Sequence, residues 1–396
     1  MTAHLAQWLS LALRWAHVIV GVSWIGTSFY FNWLNARIAP PATPEPGVSG
    51  ELWSVHGGGF YRVLKYGVAP DRLPATLHWF KWEAYATWWT GLSLLVLLYY
   101  VGAREYLLDS AVSTLTPAVG IATGVATLVI AWLVYDALCR SPLGARPAAF
   151  AVLGLLLVTA LAWGLSHLFS ARAAYLHVGA ALGTIMAANV FRVIIPSQRA
   201  MVASLLAGQA PDARRGSQAA LRSLHNNYLT LPVLFVMVSS HYPATYGSRW
   251  GWAILGVLFV IGVVVRHWFN LRNAGRRNGW LLPAAVAGLV VLAVATAPRG
   301  GGAGPTSGPA ASFAEVRVVI AQRCASCHSR APTYPGIPAA PAGVMFDTPA
   351  EIQAKAQRIL DRAVTTKTMP LGNLTGITDA ERDVLRRWVS AGAPLR

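Results

Sequence analysis

Long apolar runs separated by short polar gaps dominate the first 298 residues of the chain. A helix needs about 20 mostly apolar residues to cross a hydrocarbon layer about 30 Å thick. Runs close to this length lie at 9–34, 82–101, 115–136, 147–168, 173–195, 227–242, 250–268 and 279–298. The pattern predicts an all-α fold, a polytopic membrane helical bundle of about eight transmembrane helices, with Pro232 interrupting the sixth.

Lys and Arg residues are distributed unevenly between these runs. Counted in alternate gaps, sixteen lie on one side and four on the other. Because cytoplasmic loops carry the excess of positive charge, the first side is assigned to the cytoplasm and both chain termini to the outside. No Lys or Arg precedes Arg14, so the first run is predicted to be a retained helix rather than a cleaved signal peptide.

The composition agrees with a membrane protein, since 55% of the residues are hydrophobic and only 12% are charged. A net charge of +17 would suit nucleic acid, but the arginines occupy the gaps between runs rather than one domain. Membrane lipid is therefore an expected partner and nucleic acid is not. Three cysteines exclude a disulfide framework, and Cys139, alone at the end of an apolar run, is expected to be inert.

The composition changes after Pro298 and marks a second domain. The predicted domains are a membrane domain at 1–298, a flexible Gly- and Pro-rich linker at 299–311, and a small helical domain at 312–396. Ser312-x-x-Glu315 and Thr378-x-x-Glu381 are capping boxes that open helices of the small domain. A domain of this size has little core of its own, so a covalently held cofactor would supply its apolar centre.

The small domain contains Cys324-Ala-Ser-Cys327-His328, a pattern typical of c-type haem attachment. Two thiols at this spacing each form a thioether with one haem vinyl group, and His328 binds the iron from the same side. A zinc site would need further Cys or His ligands, and 312–396 has none. A thioredoxin-like motif would need a βαβ context, which is absent. We therefore predict one covalently bound haem c in a class I cytochrome c domain.

Two methionines are candidates for the opposite axial position of the iron. Met369, which is followed by Pro370, matches the habit of small cytochromes c and is favoured. Met345 is the alternative, and is otherwise a packing residue. Covalent haem attachment of this kind takes place outside the bacterial cytoplasm, which agrees with the side that the charge count assigns to the C-terminus.

His17 and His177 lie inside apolar runs, where polar groups are costly and often functional. The stretch 17–25 can be aligned with 177–185, which indicates an internal duplication into two four-helix halves. The two histidines could ligate a second, non-covalent haem b, or line a quinone or substrate site. Interhelical hydrogen bonding is the third interpretation.

The cytoplasmic edge of the predicted bundle combines aromatic, glycine and charged residues. Gly57 to Gly59 would let backbone amides approach a ligand, and aromatic rings would stack on a flat heterocycle. The candidate substrate contacts are Arg62, Lys81, His78 and His225. Anchoring at the membrane interface explains such residues equally well, and no catalytic residue can be assigned.

Five stretches carry a resemblance that spans the whole chain: Arg14-Trp-x-His17 with Gly21-Val-Ser-Trp-Ile-Gly26, His56-Gly-Gly-Gly-Phe60, His78-Trp-Phe-Lys-Trp-Glu83, His225-Asn-Asn-Tyr228, and Cys324 to His328. The sequence resembles the bacterial membrane-bound urate hydroxylases, which are urate oxidases with an N-terminal multi-helix membrane domain and a C-terminal cytochrome c domain. This resemblance implies a multi-pass protein of the bacterial inner membrane, with the N-terminus and the cytochrome domain in the periplasm.

The resemblance also implies an activity. Urate would be oxidised to 5-hydroxyisourate in purine catabolism, with water supplying the hydroxyl oxygen. Electrons would pass through haem c to the respiratory chain, through an acceptor such as a soluble cytochrome c or a terminal oxidase, without formation of hydrogen peroxide. Two other functions stay open, a quinol-to-cytochrome c electron-transfer module without purine chemistry and a transporter regulated by its cytochrome tail.

Overall fold

A computed structural model of the chain describes residues 2–67, 70, 73–297, 309–335 and 337–395. Helices fill most of these residues. Most of the predicted linker, 299–308, lies outside the described residues. In the N-terminal part the elements are α1 Thr2–Arg37, β1 Val48–His56, β2 Gly59–Tyr66, α2 Trp82–Leu95, α3 Pro117–Arg140, α4 Pro147–Ser166, α5 Ala171–Ala188, α6 Ile195–Leu206, α7 Ala213–Ser239, α8 Pro243–Tyr246, α9 Gly251–Asn273 and α10 Leu281–Thr296.

A helix occupies each of the eight predicted runs. Among the described residues, the helices that are long and apolar enough to cross a membrane are five: His4–Arg37, Pro117–Arg140, Pro147–Ser166, Ala171–Leu206 and Gly251–Asn273. The fourth of these joins α5 to α6 through a π-helical segment, Asn189–Ile194. The other three predicted runs contain α2, α7 and α10. A π-helical segment extends α2 to Tyr100, α7 is rich in arginine, and α10 is apolar but only 16 residues long.

Two expectations need correction. The polar gap after α1 is not irregular but folds into an antiparallel β-hairpin, β1–β2, so the fold is not purely helical. Gly57 and Gly58 form its two-residue turn, with φ values of 57° and 80°. This is the geometry that hairpin turns require, which is a structural reason for these glycines, and the ligand-binding role expected for Gly57 to Gly59 stays a prediction. α7 begins at Ala213 rather than near 227, because its first half is polar and escaped the hydropathy pattern.

α5 lies at the centre of the bundle, where eleven of its 18 residues are buried. It packs against α2, α3, α4 and α7, while α1 packs on α2 and α10 packs on α9 at the periphery. Large apolar side chains on α1, α4 and α10 are exposed. Such continuous apolar surface requires an apolar surrounding, which a lipid bilayer supplies.

In the described C-terminal residues four α-helices are present, α11 Phe313–Arg323, α12 Pro349–Ala354, α13 Ala356–Ile359 and α14 Asp379–Ser390, with a π-helical segment at Leu360–Thr365. Both predicted capping boxes form, at Ser312 and at Thr378, and a third forms at Thr348. Leu385 and Trp388 of α14 are fully buried in one core with residues of α11. This part therefore has a hydrophobic core of its own, separate from that of the bundle.

The capping boxes predict an acid-sensitive C-terminal core. Hydrogen bonds from Ser312 hold the pKa of Glu315 below its ordinary value, and those from Thr348 do the same for Glu351. Since the folded pKa is depressed, this stabilisation is complete above the unfolded value of 4.5 and is lost as the pH falls through the folded pKa. Circular dichroism melts of the full chain should show that the variant Glu315→Gln/Glu351→Gln melts lower than wild type at pH 7 and equally at pH 3. A difference that persists unchanged at pH 3 would contradict this assignment.

Candidate functional site

The distinctive segment 225–228 of α7 carries four polar side chains in a row. Successive residues of a helix are rotated by about 100°, so these side chains face different neighbours. His225 and Asn226 face α3 and the π-helical segment after α5, whereas Asn227 and Tyr228 face α9. α7 therefore separates two polar clusters.

The first cluster has defined hydrogen-bond directions. Asn189 donates through Nδ2 to the Tyr135 hydroxyl at 3.0 Å and to Asn226 Oδ1 at 2.9 Å. Because the Tyr135 oxygen accepts from Asn189, its own proton is directed at His225 Nδ1, 2.9 Å away. His225 then carries its proton on Nε2 and stacks on Phe150, with 4.6 Å between ring centres. Tyr135 and His225 thus form an ordered phenol–imidazole pair.

A buried ion pair borders this cluster. The Arg222 guanidinium lies 2.6 Å from Asp136 Oδ1, and only 4% of the Arg222 side chain is exposed. Arg140 also pairs with Asp136, at 2.7 Å. Arg222 contacts Asn189 Oδ1 at 3.4 Å and lies 5.0 Å from the centre of the Tyr135 ring. Arg222 therefore lies between the Tyr135–His225 pair and a space on the opposite side of its guanidinium group.

That space is a cavity of about 390 Å³ among α3, α6 and α7. The volume falls within the range of about 300–1,000 Å³ that is typical of ligand pockets. The charged side chains that line it are Arg140, Arg192, Arg214, Arg215, Arg222 and Asp212. Five cations against Asp212, and against Asp136, which pairs with Arg140 and Arg222, leave an excess of positive charge that favours an anionic ligand. We call it the arginine cavity.

The arginine cavity was not predicted from the sequence. Its arginines come from separate parts of the chain, and the sequence pattern presented them only as a signal of membrane orientation. Cys139, expected to be inert, lines the cavity and places its sulfur 3.7 Å from His225 Nδ1. A cluster of arginines near one end of a bundle becomes visible only when the helices are packed.

Three of the four predicted substrate residues lie elsewhere. Arg62 forms ion pairs with Glu45 and, at 2.7 Å, with Glu51, and its hydrogen bond holds the pKa of Glu51 below its ordinary value. Lys81 lies over the Trp82 ring, 5.2 Å from its centre.

His78 is exposed and contacts Phe80, with 4.5 Å between ring centres. None of Arg62, Lys81 and His78 lines the arginine cavity. The structure therefore brings only His225 close to this cavity.

The second polar cluster joins α1, α7 and α9. Asn227 Oδ1 accepts hydrogen bonds from Arg266 Nε at 3.0 Å and from Asn270 Nδ2 at 2.8 Å. The Arg266 guanidinium lies 3.7 Å from the centre of the Phe29 ring. Arg266 and Asn227 are both buried, and among the described groups no carboxylate pairs with Arg266. The cluster connects α1, α7 and α9 through the Asn227 side-chain oxygen and the Phe29 ring.

The structure places His17 and His177 at separate contacts. His17 Nδ1 lies 2.9 Å from Thr90 Oγ1. His177 is fully buried, with Nδ1 2.9 Å from the Ala173 carbonyl oxygen and Nε2 3.3 Å from the Tyr100 hydroxyl. Thr90 and Tyr100 are ten residues apart along one helical segment, which corresponds to about 15 Å. A haem or quinone bound by both histidines does not fit this separation, and the duplication stays a prediction.

In the C-terminal domain the haem motif follows α11 directly. The Cys327 and His328 amides both donate to the Cys324 carbonyl oxygen, at 3.2 and 2.9 Å, so the motif forms a single turn. His328 Nδ1 lies 2.9 Å from the Val344 carbonyl oxygen, which leaves Nε2 as the nitrogen available to a metal. Burial raises the pKa of the Cys324 thiol to about 12. The residues fit a haem group that is held by two thioethers and one imidazole.

The two candidate methionines lie in different surroundings. Met345 is flanked by Val344 and Phe346, the residues that contact His328 from its Nδ1 side and its backbone. The Met369 carbonyl oxygen accepts a hydrogen bond from Arg382 at 3.2 Å.

Arg382 is also close enough to Cys324 to act on the pKa of its thiol. Met369 therefore lies near the Cys324–His328 motif. Unlike Met345, it does not belong to the segment 344–346 that contacts His328. Among the described residues no group of three or more His, Cys, Asp and Glu side chains is arranged to hold a metal ion.

Comparison with known proteins gives one match. The family model described as Urate oxidase N-terminal matches residues 3–297, which contain β1, β2 and all the helices up to α10. No curated protein and no solved structure matches the chain.

Proposed function

The chain belongs to the urate oxidase N-terminal family, and from this membership we propose that it is a membrane-bound urate hydroxylase with eight transmembrane helices. The reaction is urate plus water to 5-hydroxyisourate, two protons and two electrons. A protein that catalyses it must hold a planar anion, accept protons and remove electrons. The observation that carries the proposal is the arginine cavity beside the Tyr135–His225 pair, because it provides the first two of these functions together.

The arginine cavity binds the urate anion. Its positive charge compensates the charge of urate, and planar guanidinium groups donate paired hydrogen bonds to carbonyl and amide edges. Arg192 enters this cavity from the π-helical segment after α5, with its guanidinium 6.0 Å from the centre of the Trp132 ring. We assign substrate contact to Arg192 and a supporting role to Arg222, which is committed to Asp136.

His225 is the base next to the cavity. Cys139 lines the cavity and contacts His225, so only one side chain separates the imidazole from the ligand space. The neutral imidazole can take up the proton that the Tyr135 hydroxyl directs at Nδ1, and the phenol oxygen can then accept a proton in turn, which is what general base catalysis requires. Tyr135 holds the imidazole in one tautomer, and Asn189 fixes the direction of the Tyr135 hydroxyl.

The C-terminal domain removes the electrons. Cys324 and Cys327 would hold haem c covalently, and His328 and Met369 would be its axial ligands. When bound, such a group accepts one electron at a time at a potential raised by the methionine ligand. A soluble cytochrome c or a terminal oxidase would be the acceptor. In this arrangement the arginine cavity faces the cytoplasm of a bacterial cell and the cytochrome domain lies in the periplasm.

One experiment tests the proposal. Urate is added anaerobically to the oxidised, detergent-solubilised protein, and the α-band of reduced haem c is followed. We expect reduction by urate, and expect Arg192→Gln to raise the KM for urate about tenfold, as loss of one charged hydrogen bond predicts. Arg62→Gln is the matched control and should leave the KM unchanged, because Arg62 is neutralised by two carboxylates.

Two other results would contradict the proposal. If Arg62→Gln raised the KM for urate more than Arg192→Gln does, the substrate site would lie at the β-hairpin rather than in the arginine cavity. Reduction by quinol analogues but not by urate would replace the hydroxylase by an electron-transfer module without purine chemistry.

A further inference from the structure

The segment 366–372 of the C-terminal domain, which carries Met369, packs against the helical domain at both of its ends. At one end Gly372 lies on the backbone of the segment after α2. A Cβ atom at Gly372 would lie 2.7 Å from the Arg104 carbonyl oxygen and 2.9 Å from that of Leu108. The Ser110 amide donates to the Gly372 carbonyl oxygen at 3.4 Å. We call 366–372 the docking loop.

The other end of the docking loop makes an equally close contact. Thr366 is buried against Gly247, which follows α8. A Cβ atom at Gly247 would lie 2.5 Å from Thr366 Cβ, a separation that side chains cannot adopt. Two glycines, one from each domain, therefore permit the approach. Such contacts require a defined fit of the two surfaces rather than a loose encounter.

Between these two ends the domains share a small cavity of about 120 Å³. Met369 lines it from the docking loop, and Tyr106, Arg172 and Tyr246 line it from the helical domain. The predicted axial methionine thus lies at the contact between the two domains, in the cavity that they share.

Aromatic rings continue from this cavity into the bundle. Tyr106 lies 6.3 Å from Tyr99, and Tyr99 lies 6.2 Å from His177, measured between ring centres. His177 is hydrogen-bonded to Tyr100 and fully buried in the central helix α5. His177 is therefore part of a contiguous aromatic contact that ends at the docking loop.

We propose that electrons leave the helical domain through the docking loop, and that Gly372 and Gly247 are the residues that hold this loop in place. The inference rests on the proposed function. Each urate would release two electrons, which would pass one at a time to the haem c that Cys324, Cys327, His328 and Met369 would hold, and the external acceptor would reoxidise this haem between the two transfers. The two protons would be released at the arginine cavity. No covalent bond of the protein forms or breaks.

The test uses the full-length protein with Gly372→Ala and with Gly247→Val. Deuterium exchange of peptides that cover 104–110 reports docking without any substrate. Gly376→Ala is the matched control, because Gly376 has a similar φ of +65° but an added Cβ would meet only Arg323, at 4.0 Å. It reproduces the backbone strain of Gly372→Ala and leaves the contact between the domains intact.

Both test variants should increase exchange at 104–110 and slow haem reduction by urate at least tenfold, while ascorbate reduces the haem at the wild-type rate. Gly376→Ala should behave as wild type. Increased exchange with an unchanged rate of reduction by urate would overturn the electron route. Unchanged exchange in both test variants would overturn the role of the two glycines. A wild-type protein that urate fails to reduce, but that shows the expected exchange, would refute the proposed function and leave the docking intact.

Discussion

Replacing Cys324 and Cys327 together by serine is expected to abolish covalently bound haem and all electron transfer from urate. The two thiols form the only bonds that would survive denaturation, and a serine hydroxyl does not form a thioether. His328 alone would retain at most an exchangeable haem. The measurement is a haem-dependent peroxidase stain of the denatured full-length protein after electrophoresis, together with its visible spectrum.

Cys139→Ser is the matched control for this experiment. Cys139 lies in α3, far along the chain from the haem motif, and its replacement should leave the stain at the wild-type level. A stained band in the double variant would show that haem is attached elsewhere. Absence of the stain from the wild-type protein, produced in cells able to attach haem c, would remove the cytochrome assignment altogether.

Arg222→Met is expected to give the second-largest effect. It leaves Asp136 buried without its closest partner and removes a positive charge from the arginine cavity. Breaking a buried ion pair by removing one member costs about 3–5 kcal/mol. Since Arg140 still pairs with Asp136 at 2.7 Å, we expect about 3 kcal/mol, measured as a lower free energy of unfolding in detergent. Binding of urate should fall as well.

The double variant Arg222→Met/Asp136→Leu separates these two consequences. With both charges removed, the apolar pair should recover most of the lost stability, whereas binding of urate should stay weak because the cavity has still lost a cation. Recovery of both properties would show that Arg222 acts only on stability. If the double variant does not recover stability, Arg222 stabilises the fold through its contacts with Asn189 and Tyr135 rather than through its ion pair with Asp136.

One turn of α7, residues 225–228, contributes side chains to both polar clusters. His225 belongs to the pair beside the arginine cavity, while Asn227 connects α7 to Arg266 on α9. A substitution at Asn227 would loosen the packing of three helices, so its effect on activity would be indirect. Variants of Arg192 and His225 therefore report on chemistry more directly than variants of the second cluster.

The sequence predicted the helices well because membrane-spanning helices are encoded locally. A run such as 147–168 needs only its own hydrophobicity to specify a helix, and α4 was found where expected. The β-hairpin was missed because its strands mix apolar residues with charged residues and glycine and lack strict alternation. The first half of α7 was missed because it is polar, with Arg214, Arg215 and Gln218 exposed, so that its hydropathy does not mark it as a helix.

The haem motif could also be found from the sequence alone, because its chemistry depends on residues that are adjacent in the chain. The preference for Met369 over Met345 came from sequence as well. What the structure adds is the position of Val344, whose carbonyl oxygen holds His328 Nδ1, and the position of the docking loop. Neither contact leaves a signal in hydrophobicity or spacing.

The sequence by itself determined the positions of the apolar helices, five of which, among the described residues, are long and apolar enough to cross a membrane. A membrane protein with two domains and a haem attachment site is also what the sequence predicts, and these stay predictions. Each of these depends on properties of one segment, namely its hydrophobicity or the spacing of a few neighbouring residues. Only the tertiary structure decided which polar residues share a site. It assembled the arginine cavity from α3, α6 and α7, paired Tyr135 with His225, and placed Arg62 away from this cavity, paired with two glutamates. Such groupings depend on how helices rotate and pack against each other, and that information is distributed over the whole chain.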